Sequence, residues 1–475
     1  MSETQAGAMP AEGGEIRLVV AVALATMLAP LNSTMIAVAL PPIAAQFHAG
    51  ASTPWLVTGY LIAMASLQPV AGKLGDRLGR RPLMLGGLAT FALASLGAAL
   101  APGFGWLLAF RVLQGVAGAL AFPNGAALLR EAIPDARRGR RFGMVGAGAG
   151  LAAAVGPPVA GVLVWLSGWQ SIFYVNVVLI VPALWLGWTT FPRGGPHAER
   201  RPFDLAGAAL LSVALIAAAA RLTHRGPSGP WATAMWLVAA LAAVAFVGVE
   251  GRHPDPAVQL RLFARRAFAA ANASVATSNF AMYVTLLTVP LLLAGRPGGS
   301  IGAGAVLAAM SGAMFVAAPV GGALTDRWGR RRPALLGLSL LVAGTLVLAT
   351  SGAGISVPVL VGALMLVGLG IGTGTAALQT TAVEAAPARD AGMASGVYTT
   401  SRYLGSIVGS ALLAHLLGGA SPRAAGTVAL GAAGTGTIFA MVAGAAVLAL
   451  VAALGLRDRP ALRAEAPPEA GESVA

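Results

Sequence analysis

The sequence predicts an all-α integral membrane protein with fourteen transmembrane helices, and three observations carry that prediction. Of its 475 residues, 57% are hydrophobic and only 10% charged, against roughly 25% charged in an ordinary soluble domain. Fourteen apolar runs follow one another, each bounded by charged or Gly/Pro-rich breaks, and one loop segment occurs twice. A water-facing surface on so long a chain needs more charge, so most side chains must face lipid or other helices. At about 20 residues per span, fourteen spans use roughly 280 residues, which the chain easily accommodates. The composition excludes a soluble enzyme. The absence of cysteine also excludes a disulfide framework, a thiolate metal site and a cysteine nucleophile.

Taken in order, the runs start near Leu18, Trp55, Leu83, Trp106, Gly143, Ser171, Leu205, Trp231, Phe268, Gly302, Ala334, Val357, Gly392 and Val428. With a cytosolic N-terminus, the cytosolic segments hold 25 of the 31 basic residues. The outer loops hold Arg221, Arg225, Arg296 and Arg423, while Arg111 and Arg402 fall inside spans. This asymmetry orients the chain with both termini cytosolic. The net charge of +14 therefore reports topology, and no nucleic-acid partner is expected. Residues 1–17, whose only basic side chain is Arg17, and residues 457–475 are expected to be cytosolic tails.

The segment from Gly72 through Asp76, Arg77, Gly79, Arg80 and Arg81 recurs from Gly322 through Asp326, Arg327, Gly329, Arg330 and Arg331 at the same spacing. The first copy follows span 2 and the second follows span 10. Two six-helix halves alone would place the second copy after span 8, so two helices must be inserted between them. The plan is 6 + 2 + 6: residues 18–190 form the first half, 191–266 carry the inserted pair, and 267–456 form the second half.

Together these features resemble the major facilitator superfamily, within it the fourteen-helix drug:proton antiporter branch, over nearly the whole chain. Besides the doubled loop, Leu107 to Gly118 with Arg111, Gln114 and Gly115 resembles the helix 4 signature. Gly143, Gly156, Pro157 and Gly161 resemble the antiporter helix 5 signature, with Ala152 and Ala160 replacing two of its glycines. Trp169, Ile172, Phe173 and Asn176 resemble the branch's helix 6 start, and Gly392, Ala394, Ser395, Gly396, Arg402, Gly405 and Gly409 its helix 13. The resemblance implies two pseudo-symmetric halves in the major facilitator fold and multidrug efflux across the cell membrane. One departure bears on coupling. The branch usually has Leu-Asp-x-Thr in helix 1, whereas this chain reads Leu31-Asn32-Ser33-Thr34. An amide hydrogen-bonds but does not titrate, so the usual proton route is missing its carboxylate.

The resemblance also implies that Gly72, Asp76, Arg77, Gly79 and Arg80, with Asp326, Arg327, Gly329 and Arg330, form a gate latch stabilising the state closed to the cytosol. The physics agrees: glycine permits the tight turn, and Asp with Arg can pair or cap a neighbouring helix in one conformation only. A positively charged loop serving topology alone is the plainer reading. Arg111 and Arg402 are costly intramembrane cations and candidates for the cavity, with Asn32 and Gln114 beside them in the coupling set; snorkelling is the alternative for Arg111. Tyr60, Phe280, Tyr283, Gln379 and Tyr398 are candidate substrate contacts by helical position. Gly156, Pro157 and Gly161 read as a helix 5 hinge, on a helix whose Gly148, Ala152, Gly156 and Ala160 form a small-residue face. Gly368, Gly370, Gly372 and Gly374 read as packing, His415 as interfacial, and Asp204 as an N-cap.

No acidic residue falls mid-membrane, so a cationic ligand would meet only like charge in the cavity. The expected function is secondary export, by alternating access, of a drug-like or natural-product small molecule that is neutral, zwitterionic or anionic. The alternatives are an uncoupled or differently coupled facilitator, suggested by Asn32, and a transporter-like ligand sensor. No catalytic constellation or metal site is expected, nor a P-loop, since the only lysine, Lys73, has Leu67 where the first glycine belongs. A proton gradient is the candidate energy source, and the expected partners are the small molecule and the bilayer, with a monomeric chain.

Overall fold

A backbone surrounded by lipid must satisfy its own N–H and C=O groups, and with apolar runs of this length the α-helix does so within each run. The computed structural model describes residues 12–133, 135–192, 205–223, 229–252, 260–294, 299–386, 391–417 and 432–456. These form fourteen α-helices: α1 (Glu12–Phe47), α2 (Trp55–Leu78), α3 (Arg80–Ala99), α4 (Phe104–Ala132), α5 (Asp135–Ser167), α6 (Ser171–Thr190), α7 (Leu205–Thr223), α8 (Pro230–Arg252), α9 (Arg266–Leu293), α10 (Gly299–Trp328), α11 (Arg331–Ser351), α12 (Val357–Glu384), α13 (Ala391–Leu417) and α14 (Ala432–Ala453). No strand occurs among the described residues. Ten of the helices are long and apolar enough to cross a membrane.

The helices pair in a repeated pattern. In the first set, α1 packs on α4, α5 and α6, α4 on α2 and α3, and α3 on α6. In the second, α9 packs on α12, α13 and α14, α12 on α10 and α11, and α11 on α14. Each pairing in one set has its counterpart eight helices later in the other. The sets meet through α5 with α10 and α2 with α13, while α7 rests on α2, α13 and α8.

The doubled loop segment produces the same backbone turn twice. Gly79 separates α2 from α3 with φ of 93°, and Gly329 separates α10 from α11 with φ of 81°. Both values lie where a Cβ is strongly disfavoured, which is why glycine stands at both places. One boundary differs from expectation. α1 begins at Glu12, inside the stretch expected to be tail, because Glu15 is 3% exposed and pairs with Arg141 of α5 at 2.7 Å. A carboxylate tied to the neighbouring helix extends the ordered helix beyond its apolar run.

Small residues set how closely the helices approach. On α5, a Cβ at Gly148 would meet Met27 and Ala23 of α1, and one at Gly156 would meet Thr34 of α1. Pro157 and Gly161 instead lie against Gly304 of α10. The glycines of α12 are packing residues, as expected: Gly368 and Gly372 abut Met310 and Met314 of α10, while Gly370 abuts Gly337 and Leu341 of α11. On α13, a Cβ at Gly405 would lie 1.8 Å from the Ala276 carbonyl oxygen of α9, whereas one at Gly396 would meet nothing within 4 Å. Gly405→Ala should therefore cost about 1–3 kcal/mol through overpacking, and Gly396→Ala should be neutral or slightly stabilising. Heating the detergent-solubilised variants and following the monodisperse fraction separates the two outcomes.

Candidate functional site

A polar buried region lies in the first helix set, on α2, α3, α4 and α6, and borders α9 and α13. Arg111 of α4 is fully buried. Its Nε donates to the Leu56 carbonyl of α2 at 3.0 Å and its Nη1 to Gln114 Oε1 at 2.8 Å. Gln114 Nε2 in turn donates to Ser95 Oγ of α3 at 2.7 Å, which also accepts from Asn176 Nδ2 of α6 at 3.4 Å. The Arg111 guanidinium stacks over the Tyr60 ring at 4.5 Å. The snorkelling alternative is thus replaced by a buried cation held by a backbone carbonyl, an amide and an aromatic face. Gln114 is committed to holding Arg111. Ser95 carries no signature of its own, and only the geometry reveals it as the hub joining three helices.

Around Tyr60 the sets approach one another. Tyr60 lies beside Asn32 of α1 and within electrostatic reach of Arg111, Tyr283 and Tyr403. Tyr283 of α9 approaches Ser33 of α1 and lies within reach of Arg111 and Arg402. Tyr403 of α13 approaches Gln68 of α2. The structure therefore gathers Asn32, Tyr60, Arg111, Tyr283 and Arg402 and adds Ser33, Gln68 and Tyr403, which sequence position did not single out. The other candidates are placed differently. Phe280 packs on Gly409 of α13, buried Tyr398 lies within electrostatic reach of Arg402 and donates to the Thr375 carbonyl of α12 at 3.4 Å, and Gln379 is exposed.

Asn32 and Tyr60 face each other in the cluster, whereas Arg111 Nη2 is buried with no hydrogen-bond partner. Buried polar atoms are ordinarily paired, so this guanidinium nitrogen is open to an acceptor group of a ligand or water. No group of three or more His, Asp or Glu able to hold a metal ion occurs among the described residues.

Two sets of contacts distinguish the ends of the molecule. Toward the start of α2 and the end of α13, the hydroxyls of Thr58 and Ser410 lie 2.6 Å apart, joining the sets, and Gly304 seals against Pro157 and Gly161 on the same side. At the arginine-rich end, three polar links among the described residues each lie within one set. Arg141 pairs with Glu15, Arg81 donates to the Trp188 carbonyl at 2.7 Å, and Arg330 pairs with Glu384. Asp326 and Arg327 of the second loop copy are exposed and form no ion pair among the described residues. Gly72, Asp76 and Arg77 fall in the last turns of α2, but their side chains lie outside those described, as do Asp204 and residues 457–475.

The doubled loop, the repeated pairing of two six-helix sets and a polar centre between them coincide with a family model for the Major Facilitator Superfamily, which matches residues 22–410. The chain belongs to the Major Facilitator Superfamily. It is thus a multi-pass membrane transporter and not an enzyme. This transporter is 34% identical over 411 residues to the tetracenomycin C resistance and export protein of Streptomyces glaucescens, covering 84% of this chain and 75% of that one. It is 34% identical over 410 residues to the multidrug resistance protein Stp of Mycobacterium tuberculosis, covering 85% and 76%. Its fold matches the crystal structure of a bacterial homologue of the human lysosomal transporter Spinster with a TM-score of 0.67 at 16% identity, covering 94% of this chain and 98% of that one.

Proposed function

We propose that this transporter is a secondary exporter of drug-like small molecules that are neutral, zwitterionic or anionic. All fourteen helices cross the cell membrane, with both termini cytosolic. The α1–α6 and α9–α14 sets are the halves that rock about the central cluster, and α7 and α8 form an inserted pair. The repeated pairings and the basic-residue asymmetry support this plan, and the names of the tetracenomycin and Stp relatives support export. The observation that carries the substrate class is the buried Arg111 cation with its unpartnered Nη2, in a cluster with no carboxylate among the described residues. Donors and permanent cations favour acceptors and anions over quaternary ammonium groups. The contacts joining the sets at Thr58–Ser410 and Gly304–Pro157 support a state sealed on the outer side. In this reading Asp326 and Arg327 belong to a latch that engages in the opposite state.

Asn32 favours a second reading, in which the scaffold is uncoupled from protons. Transport in reconstituted liposomes tests both. Acidic and cationic aromatic compounds are offered with and without an imposed pH gradient, to the native protein and to Asn32→Asp. Acidic or neutral compounds should be preferred, and gradient-driven accumulation should appear or strengthen only in Asn32→Asp if the amide has uncoupled the scaffold. Preference for quaternary ammonium dyes would sink the substrate assignment. Gradient-driven accumulation in the native protein would sink the uncoupled reading.

A further inference from the structure

At the arginine-rich end of the second helix set, a cavity of about 310 Å³ opens between the start of α9, the turn after α10 and the end of α12. Arg265, Arg266 and Arg330 line it, together with Thr381 and Glu384. Among the described residues the balance is three cations to one anion. Glu384 takes one Arg330 nitrogen, Nη2, but the Arg330 Nε is buried without a hydrogen-bond partner. Arg265 spends one nitrogen on the Ala385 carbonyl at 2.6 Å, and Arg266 opens α9. The first N–H groups of that 28-residue helix, which lack intrahelical acceptors, therefore begin at the rim of the cavity. Phe263, two residues before Arg265 in the short turn Leu260–Ala264, and Trp328, two before Arg330 at the end of α10, are 39% and 49% exposed. Aromatic side chains so placed mark the depth of lipid headgroups.

A pocket with surplus guanidinium, an unpaired buried Nε and a helix start is a donor set for a tetrahedral oxyanion, which arginine recognises better than lysine. We propose that it binds the phosphoryl group of an anionic lipid headgroup, supplied by the leaflet on the arginine-rich side. Because Arg265 and Arg266 belong to the α9 end while Arg330 belongs to the α10–α11 turn, a bound phosphoryl group clamps these elements together. Only the identity of that leaflet rests on the orientation proposed above.

The test uses the full chain in uncharged detergent and reads lipid binding, so it is independent of transport. Native mass spectrometry and thermal unfolding are followed with phosphatidylglycerol, phosphatidylcholine or inorganic phosphate. Phosphatidylglycerol should remain bound and raise the unfolding temperature more than phosphatidylcholine does. Arg266→Gln should weaken that binding about tenfold, the loss of one charge-assisted contact, while Arg261→Gln, an exposed arginine that does not line the pocket, should not. Glu384→Gln removes the competing carboxylate and should tighten binding, an effect that loss of a merely structural ion pair does not produce. If inorganic phosphate reproduces the whole effect, the oxyanion site stands and the lipid source is overturned. Equal binding of the two lipids, or equal loss in Arg266→Gln and Arg261→Gln, overturns the site itself.

Discussion

Arg111→Ala is expected to reduce transport in liposomes about a hundredfold or more while leaving the protein in the membrane. The guanidinium makes two hydrogen bonds and one ring contact, and each hydrogen bond to a charged group is worth about 1.5–3 kcal/mol. Removing it strands the Leu56 carbonyl and the Gln114 amide in a dry interior and deletes the cation that Tyr60 covers. Arg111→Lys should rescue only in part, because an ammonium cannot present a planar fork to a carbonyl and an amide while stacking on a ring. Gln114→Ala should give a milder loss, since Arg111 keeps its bond to Leu56. Unfolding temperatures measured on the same preparations separate lost function from lost fold. Native transport rates in Arg111→Ala at an unchanged unfolding temperature would remove Arg111 from the site.

Joining Thr58 to Ser410 should stop transport altogether. Their oxygens are 2.6 Å apart across the contact of α2 with α13, so Thr58→Cys with Ser410→Cys places two sulfurs close enough to bond or to be bridged by a short crosslinker. The chain contains no cysteine, which makes the introduced pair the only thiols present. If the halves must separate at this end once per cycle, the oxidised double variant is silent and a reductant restores it. Each single variant should stay active. Continued transport by a fully crosslinked population would show that the sets do not part here.

Much of the fold was legible before any coordinates, and the reasons are local. A run of apolar residues decides its own helix because backbone hydrogen bonds close within it, so the expected starts near Trp55, Ser171 and Val357 fall on α2, α6 and α12. The turn at Gly79 and Gly329 was legible because two copies of one segment demand the same positive φ. The glycines of α12 were readable as packing residues, and their spacing already placed them on helix surfaces. The N-terminal edge of α1 was not legible. Its extension to Glu12 goes with a partner, Arg141, that lies 126 residues away.

For the site, the sequence by itself determined which charged and polar groups are present inside an apolar chain: Arg111, Arg402 and Asn32, with no carboxylate mid-membrane. That follows from composition and from the cost of burying charge, which makes such residues stand out in any apolar run. Tertiary structure decided which of these groups meet. Ser95 joins Gln114 to Asn176, Tyr403 comes within electrostatic reach of Tyr60 and Tyr283, Thr58 meets Ser410 across 352 residues, and Arg330 finds Glu384 rather than an aspartate of its own loop. Serine, threonine and tyrosine are common in helices and carry no spacing of their own. Their significance arises only when packing brings a distant partner within hydrogen-bond reach and excludes the water that would otherwise take its place.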